Sequence, residues 1–279
     1  MNAKTIKHAI KSFAVALKTK NIVPIEHRVD EGNILQGHVA LITGGSGGIG
    51  YAIAKSFLES DCKVIIAGTN ENKLKQCVER LGEGAEYIVL DLNEVSKMPE
   101  KIEKASRMFG KIDILVNSAG IHSTRSMTDF FNTTEEEFNN ILDINLKGTY
   151  FVSQAIAKYM VNNKIKGHIL NISSSTGAEP AWSSYRLSKL GVEGFTRGLA
   201  QTLTPYGITV NAIAPGSTAT NLLGYSNGDS IYTADNVVGR YIMPDEVASY
   251  AKILVSDLGN MVVGSTLYVS GGRGTYDIR

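Results

Sequence analysis

Cysteine is nearly absent from this 279-residue chain: Cys62 and Cys77 are the only two. They form neither a disulfide framework nor a zinc-binding pattern, so they read as small core or surface residues kept in a reducing compartment. The five histidines are scattered without ligand spacing, and no metal site is expected. An excess of one charge is missing as well. The 28 Lys and Arg offset the 27 Asp and Glu to a net +1, and no long basic run exists, which excludes an electrostatic footprint for nucleic acid. No apolar segment reaches the length of a membrane span. Lys11 interrupts the apolar stretch near the start, so a secretory signal is excluded too. What is left, 43% hydrophobic and 20% charged, is ample for a sizeable core and ordinary for a soluble enzyme, for which the cytoplasm is the expected location.

Ahead of the first clear strand, Ile6, Ile10, Phe13, Ala14 and Leu17 fall at helical spacing, with Lys4, Lys7, Lys11 and Lys18 among the polar positions. An organelle presequence is conceivable, because no acid precedes Glu26. The late position of Arg28 argues against it. The spacing predicts an amphipathic helical extension over residues 1–36.

From residue 37 to 279 apolar strands alternate with helical patterns. The expected strands are 39–42, 63–67, 87–91, 112–117, 167–172, 209–213 and 265–269. Helices are expected at 49–59, 71–81 and 98–109, among others. Strands alternating with helices build βαβ units, hence a parallel sheet covered on both faces. Such a sheet binds ligands at the carboxyl ends of its strands, near the point where strand order switches. Nothing in the composition marks a linker, so 37–279 reads as one domain.

The glycines concentrate at the first of these strand ends. Thr43-Gly44-Gly45-Ser46-Gly47-Gly48-Ile49-Gly50 holds five glycines in seven positions between a strand and a helix. The helix start presents unpaired N–H groups and a positive dipole end, a site for phosphate or pyrophosphate. The Walker Lys-Ser/Thr is absent. Two registers fit, Gly45-x-Gly47-x-x-Gly50 and Gly44-x-x-x-Gly48-x-Gly50.

The other strand ends carry short polar and small residues. The second ends at Gly68-Thr69-Asn70, where a dinucleotide fold often places an acid for the ribose 2′-hydroxyl. The missing carboxylate removes the repulsion that a 2′-phosphate would meet, which favours NADP(H) over NAD(H), with Lys73 one turn further on. Against this, Thr69 stands where an arginine would help, and Gly47 brings no positive charge. The third strand ends at Asp91-Leu92, where the acid suits either an adenine amino group or a helix cap. The fourth ends at Asn117-Ser118-Ala119-Gly120, small enough for a flat ring to lie against the backbone.

Proton chemistry is suggested by Tyr185-Arg186-Leu187-Ser188-Lys189. On a helix Tyr185 and Lys189 share a face. A phenol, with an ordinary pKa of about 10, needs a nearby cation to work at neutral pH. Upstream, Ser173-Ser174-Ser175 follows a strand, and one of these hydroxyls can hold a substrate oxygen beside the tyrosine.

Taken together these stretches resemble the short-chain dehydrogenase/reductases, most closely 3-oxoacyl-(acyl carrier protein) reductases, over about residues 37–272. Thr43-Gly44-x-x-x-Gly48-Ile49-Gly50 is similar to that family's cofactor turn, which selects the second register. Asn117-Ser118-Ala119-Gly120 is similar to its Asn-Asn-Ala-Gly. Tyr185-x-x-x-Lys189 matches its catalytic pair, and Asn145 matches the helix asparagine that holds a relay water. Asn211-x-Ile213-x-Pro215-Gly216 resembles the loop at the nicotinamide, with Thr218 or Thr220 for its carboxamide.

The resemblance implies a seven-stranded, doubly wound parallel sheet of Rossmann type and a ketone–alcohol oxidoreductase using NADP(H) or NAD(H). It implies Ser174, Tyr185, Lys189 and Asn145 as catalytic residues. For the cofactor it implies Gly44, Ser46, Gly47, Gly48, Ile49, Gly50, Gly68, Thr69, Asn70, Asp91, Leu92, Asn117, Ala119, Gly120, Tyr185, Lys189, Pro215, Gly216 and Thr218. Gly177 selects Ser174 by the family pattern, although its short separation from Tyr185 leaves Ser173 and Ser175 open. A substrate loop is expected over 217–243. An acyl carrier protein, being acidic, would meet Arg125 and Arg186. A sugar, polyol or other small alcohol is the alternative substrate, and a non-catalytic nucleotide sensor a more distant reading. A homodimer or homotetramer is expected through the helix of Tyr185 and the last strand, where Leu187, Leu190, Val192, Phe195, Leu267 and Val269 lie.

Overall fold

The computed structural model describes residues 33–122, 127–226 and 228–273. The expected helical extension over 1–36 lies, except for its last four residues, outside them, as does Arg125. Seven parallel strands form one sheet in the order β3-β2-β1-β4-β5-β6-β7. They are β1 Val39–Thr43, β2 Lys63–Gly68, β3 Ala85–Val89, β4 Ile114–Asn117, β5 Gly167–Ile172, β6 Ile208–Pro215 and β7 Thr266–Val269. The order reverses between β1 and β4, and the glycine turn leaves β1 at that switch point.

Helices α1 Gly48–Leu58, α2 Glu71–Leu81 and α7 Pro244–Leu254 cover one face. The other face carries α3 Met98–Phe109, α5 Thr149–Asn162 and α6 Ser184–Leu203. A short α4, Glu135–Leu142, leads into a π-helical segment, Asp143–Gly148, that runs on into α5. Strand alternation divides the core. Ala40, Ile42, Val64 and Ile66 pack with Ile53 and Phe57 of α1, Leu74 of α2 and Val247 of α7. Val39, Leu41 and Ile65 face the opposite way, onto Ile102, Ile156 and Leu203. This two-sided burial is why the strands read as unbroken apolar runs. Fully burying a side chain such as Phe57 contributes roughly 1.5–3 kcal/mol. Leu35 is also completely buried in the first cluster, so the core begins two residues ahead of the boundary at 37.

Helix starts follow local capping chemistry. Asn70 accepts from the Lys73 N–H at 3.0 Å, Thr134 from Glu137 at 3.2 Å and Ser183 from Arg186 at 3.3 Å. Strand ends moved by a few residues from expectation. β3 lies two residues earlier than 87–91, because its pairing with β2 stops at Val89 opposite Gly68. Asp91 then leaves the ladder and accepts from the Asn93 N–H at 2.9 Å. β6 runs past 213 to Pro215 because β7 continues to pair with it, Ala214 with Tyr268 and Pro215 with Val269, after the β5 ladder has ended at Ile213.

Candidate active site

The glycine turn is shaped by close approach. Gly44 has φ +65°, and a Cβ there would stand 2.7 Å from the backbone of Ala119, at the exit of β4. A Cβ on Gly50 would meet the Gly44 carbonyl at 2.4 Å, and one on Gly48 would meet the Thr220 side chain at 2.5 Å. Gly47 has only the Gly44 carbonyl near, at 3.2 Å. Thr43 fastens the turn to β4, accepting from the Ala119 N–H at 3.3 Å. Gly47 caps α1 without any side-chain bond, so the first N–H groups of the helix face outward for a ligand. A backbone cradle that a methyl group would fill, at an uncapped helix start, fits a dinucleotide pyrophosphate.

Beside it, Gly68 ends β2 in an ordinary backbone conformation. A Cβ there would have normal contacts, 3.7 Å from Leu74 and 3.8 Å from the Ser46 hydroxyl. Neither space nor backbone therefore requires glycine at this point. Thr69 and Asn70 are exposed next to it, and the Asn70 side chain is engaged as the α2 cap. Asp91 is held in its own turn, and Leu92 is buried against Gly148.

Asn117 is turned inward. Its amide donates to Ser153 at 2.9 Å and to Asn171 at 2.8 Å, and Asn171 in turn donates to Thr196 at 2.9 Å. This buried polar chain fastens β4 and β5 to α5 and α6. The backbone that follows does reach the cleft. A Cβ on Gly120 would lie 3.2 Å from Asn145 Oδ1 and 3.5 Å from Lys189 Nζ. Asn145 is fixed on both sides: it accepts from the Ile121 N–H at 2.8 Å and donates to the Ile121 carbonyl at 2.9 Å. It sits in the π-helical segment, a wider turn often found at functional sites.

The three serines separate cleanly. Ser173 donates toward Glu193 at 3.1 Å and the Lys189 carbonyl at 3.2 Å, away from the cleft. The Ser175 hydroxyl is buried with no partner among the described residues. Ser174 hydrogen-bonds Tyr185 and also accepts from the Thr176 hydroxyl at 2.9 Å. Burial pushes the Tyr185 phenol above its ordinary value, while the Ser174 hydrogen bond and the charge of Arg273 work against that rise. Lys189 Nζ stands 5.7 Å from the Tyr185 ring centre and donates to the Ile172 carbonyl at 3.0 Å. Burial lowers its ammonium to about 8. The His122 ring lies over Tyr185 with centres 4.3 Å apart.

From the far side β6 delivers Pro215, Gly216 and Thr218. The Gly216 N–H donates to Val269 at 3.0 Å, and Thr218 is buried and donates to the Gly216 carbonyl at 2.9 Å. The segment that follows returns to pair Ile242 beside Thr218. Arg186, beside Tyr185, joins an ion cluster with three charges that no motif marks: Glu179, Asp235 and Arg273. Arg186 donates to the Pro180 carbonyl at 3.1 Å and pairs with Glu179 at 2.7 Å, so it is not a loose cation for a carrier protein. Sequence spacing gives no signal for these contacts, since Glu179 and Arg273 are 94 positions apart.

On the outer surface, Leu187 and Leu190 are 40% and 46% exposed, whereas Val192 belongs to the core. Among the described residues no helix is long and apolar enough to cross a membrane, and no cluster could hold a metal ion.

The short chain dehydrogenase profile matches residues 38–230. A 3-oxoacyl-[acyl-carrier-protein] reductase of Rickettsia felis is 37% identical over 243 residues, covering 85% of this chain and 97% of that protein. The crystal structure of a 3-ketoacyl-(acyl-carrier-protein) reductase from Brucella melitensis, complexed with NADH, superposes with a TM-score of 0.76. It is 32% identical, with 86% of this chain and 99% of that one covered. Actinorhodin polyketide ketoreductase with NADPH gives a TM-score of 0.77 at 29% identity, covering 86% of this chain and 98% of that one. A seven-stranded parallel sheet, a glycine-rich turn at its switch point and these likenesses make the chain a member of the short-chain dehydrogenase family, an NAD(P)-dependent oxidoreductase acting on CH–OH groups.

Proposed function

We propose that the protein reduces 3-oxoacyl thioesters, presented on an acyl carrier protein, to the 3-hydroxy products. The observation that carries this reading is the convergence of Ser174, Tyr185 and Lys189, with Ser174 alone of the three serines bonded to the phenol. Tyr185 donates the proton to the carbonyl oxygen, and Ser174 holds that oxygen in place. Lys189 stabilises the phenolate left behind, and Asn145 orders the route by which the proton is replaced. General acid catalysis of this kind contributes roughly 10²–10⁴-fold. Bound NAD(P)H supplies the hydride.

The cradle at Gly44, Ser46, Gly47, Gly48, Ile49 and Gly50 would hold the pyrophosphate. Gly68, Thr69 and Asn70 would flank the ribose 2′ position, and Asp91 and Leu92 the adenine. Asn117, by bracing the end of β4, would carry Ala119 and Gly120 to the ring system, and Pro215, Gly216 and Thr218 would face the nicotinamide. NADP(H) is favoured over NAD(H), since the structure leaves room for a side chain at Gly68 and the sequence supplies no carboxylate there. We assign the enzyme to the cytoplasm as a homodimer or homotetramer. A 580 Å³ groove between α5 and α6, lined by Tyr150, Phe195, Leu199 and Tyr206, supports assembly through that face.

A polar small alcohol is the second reading, supported by the ion cluster of Glu179, Asp235 and Arg273, with Arg186 of that cluster next to Tyr185. Turnover of acetoacetyl thioester against a panel of sugars and polyols decides between them. Reduction of the thioester with NADPH is expected. Activity confined to polyols would reverse the assignment.

A further inference from the structure

Arg273 follows the Gly271-Gly272 turn after β7, outside every motif. Its Nε donates to Glu179 at 2.9 Å, its Nη1 donates to Ser217 at 3.1 Å, and Asp235 lies 3.5 Å away. Glu179 simultaneously holds Arg186 at 2.7 Å, and Ser217 donates to Asp235 at 2.7 Å. Glu179, Arg186 and Arg273 are only 18%, 16% and 25% exposed, where charge-assisted bonds are stronger than at an open surface. Glu179 belongs to the loop that carries Ser174, and Arg186 adjoins Tyr185. Ser217 and Asp235 belong to the segment leaving β6. The same junction is tightened at Gly271, whose carbonyl accepts from the Val237 N–H at 3.0 Å and whose Cβ position is filled by Asn236.

Resting on the assignment of Tyr185 as the acid–base group, we infer that Arg273 is a positioning residue. It locks the segment after β6 against the Ser174 loop and fixes a positive charge in the ion cluster that, through Glu179 and Arg186, adjoins Tyr185. The other groups around Tyr185 are accounted for. Ser174 hydrogen-bonds it, His122 lies on its ring, and Lys189 and Arg186 share its helix. Glu179 and Asp235 sit beyond Arg273, and Glu193 is engaged by Ser173 and Tyr268. Arg273 is a second cation, besides Lys189, whose field acts on the phenol against the effect of burial.

The test is the pH profile of alcohol oxidation, using the alcohol that the wild type turns over best in the panel above. Oxidation requires the phenolate, so its rate rises with pH through the Tyr185 ionisation. Arg273→Met should move the midpoint up by roughly half to one pH unit, the scale of losing one partly compensated neighbouring charge. Arg273→Lys should keep the midpoint near wild type while raising KM, because an ammonium cannot replace the two-pronged guanidinium contact. Glu179→Gln should move the midpoint down. Should Arg273→Met fail to fold, Glu179→Gln still decides by its downward shift, and Arg273→Lys by its raised KM. An unchanged midpoint in Arg273→Met, or in Glu179→Gln, would overturn the inference. Tyr185→Phe separates the two layers. If it is inert while Arg273→Met keeps the wild-type profile, only the role of Arg273 fails. If it turns over normally, the acid–base assignment fails first.

Discussion

Replacing Gly44 by alanine tests whether the cofactor turn is built by steric necessity. At φ +65° an L-residue is strained by roughly 1–2 kcal/mol. Its Cβ would also stand 2.7 Å from Ala119 Cα and N, which are backbone atoms that cannot rotate aside. Forcing such a contact costs roughly another 1–3 kcal/mol, for a total of about 2–5 kcal/mol. Gly110, the left-handed residue after α3, is the matched control: its φ is +83° and nothing lies within 4 Å of its Cβ position. Gly110→Ala bears the strain alone. In both variants alanine restricts the unfolded chain and recovers about 0.4–1 kcal/mol, which cancels in the comparison. With a urea slope of about 2 kcal/mol/M, the roughly 1–3 kcal/mol contact cost should lower the unfolding midpoint of Gly44→Ala by about 0.5–1.5 M beyond that of Gly110→Ala. NADPH affinity, read by fluorescence titration, should fall in Gly44→Ala and hold in Gly110→Ala. Equal midpoints in the two variants would refute the steric reading of the turn.

Other outcomes follow from the same geometry. Ser174→Ala should lose roughly 10²–10³-fold in kcat, as for one lost transition-state donor, while Ser175→Ala keeps turnover; steady-state assays that ranked them the other way would reassign the serine. Lys189 titrates near 8 folded and near 10.5 unfolded, so the unfolded chain binds the extra proton between those values. Wild-type stability relative to Lys189→Met should therefore rise with pH across that window by up to about 3 kcal/mol, and a flat difference in urea titrations would contradict the buried ammonium. Gly68→Asp should shift cofactor choice toward NADH by tenfold or more, because a carboxylate fits there and repels a 2′-phosphate. An unchanged NADPH-to-NADH ratio of kcat/KM would remove Gly68 from the 2′ site.

The fold was largely legible because buried parallel strands announce themselves as apolar runs separated by amphipathic helices. Strand ends were less so. At Asp91 a side-chain turn competes with the ladder, and β6 is lengthened beyond Ile213 by pairing with β7. Within the site, residues fixed by local spacing were readable: the glycines, Tyr185 with Lys189, and Gly120. The direction of a side chain was not. Three adjacent serines point three ways, because Glu193 captures one, a tight turn buries another and only Ser174 is left for the phenol. Asn117 follows the same logic, its amide being drawn into the buried chain with Ser153 and Asn171. Arg273 was invisible, since its partners Glu179, Ser217 and Asp235 meet it only through tertiary contact.

The most direct test of the central claim is turnover of acetoacetyl thioester by Tyr185→Phe, with NADPH binding measured on the same sample. The phenol hydroxyl is the one proton donor the proposal places at the carbonyl, and phenylalanine keeps the ring against His122 and Lys189. Loss of roughly 10²–10⁴-fold in kcat with NADPH affinity retained is the predicted result. Turnover within a few-fold of wild type would contradict it.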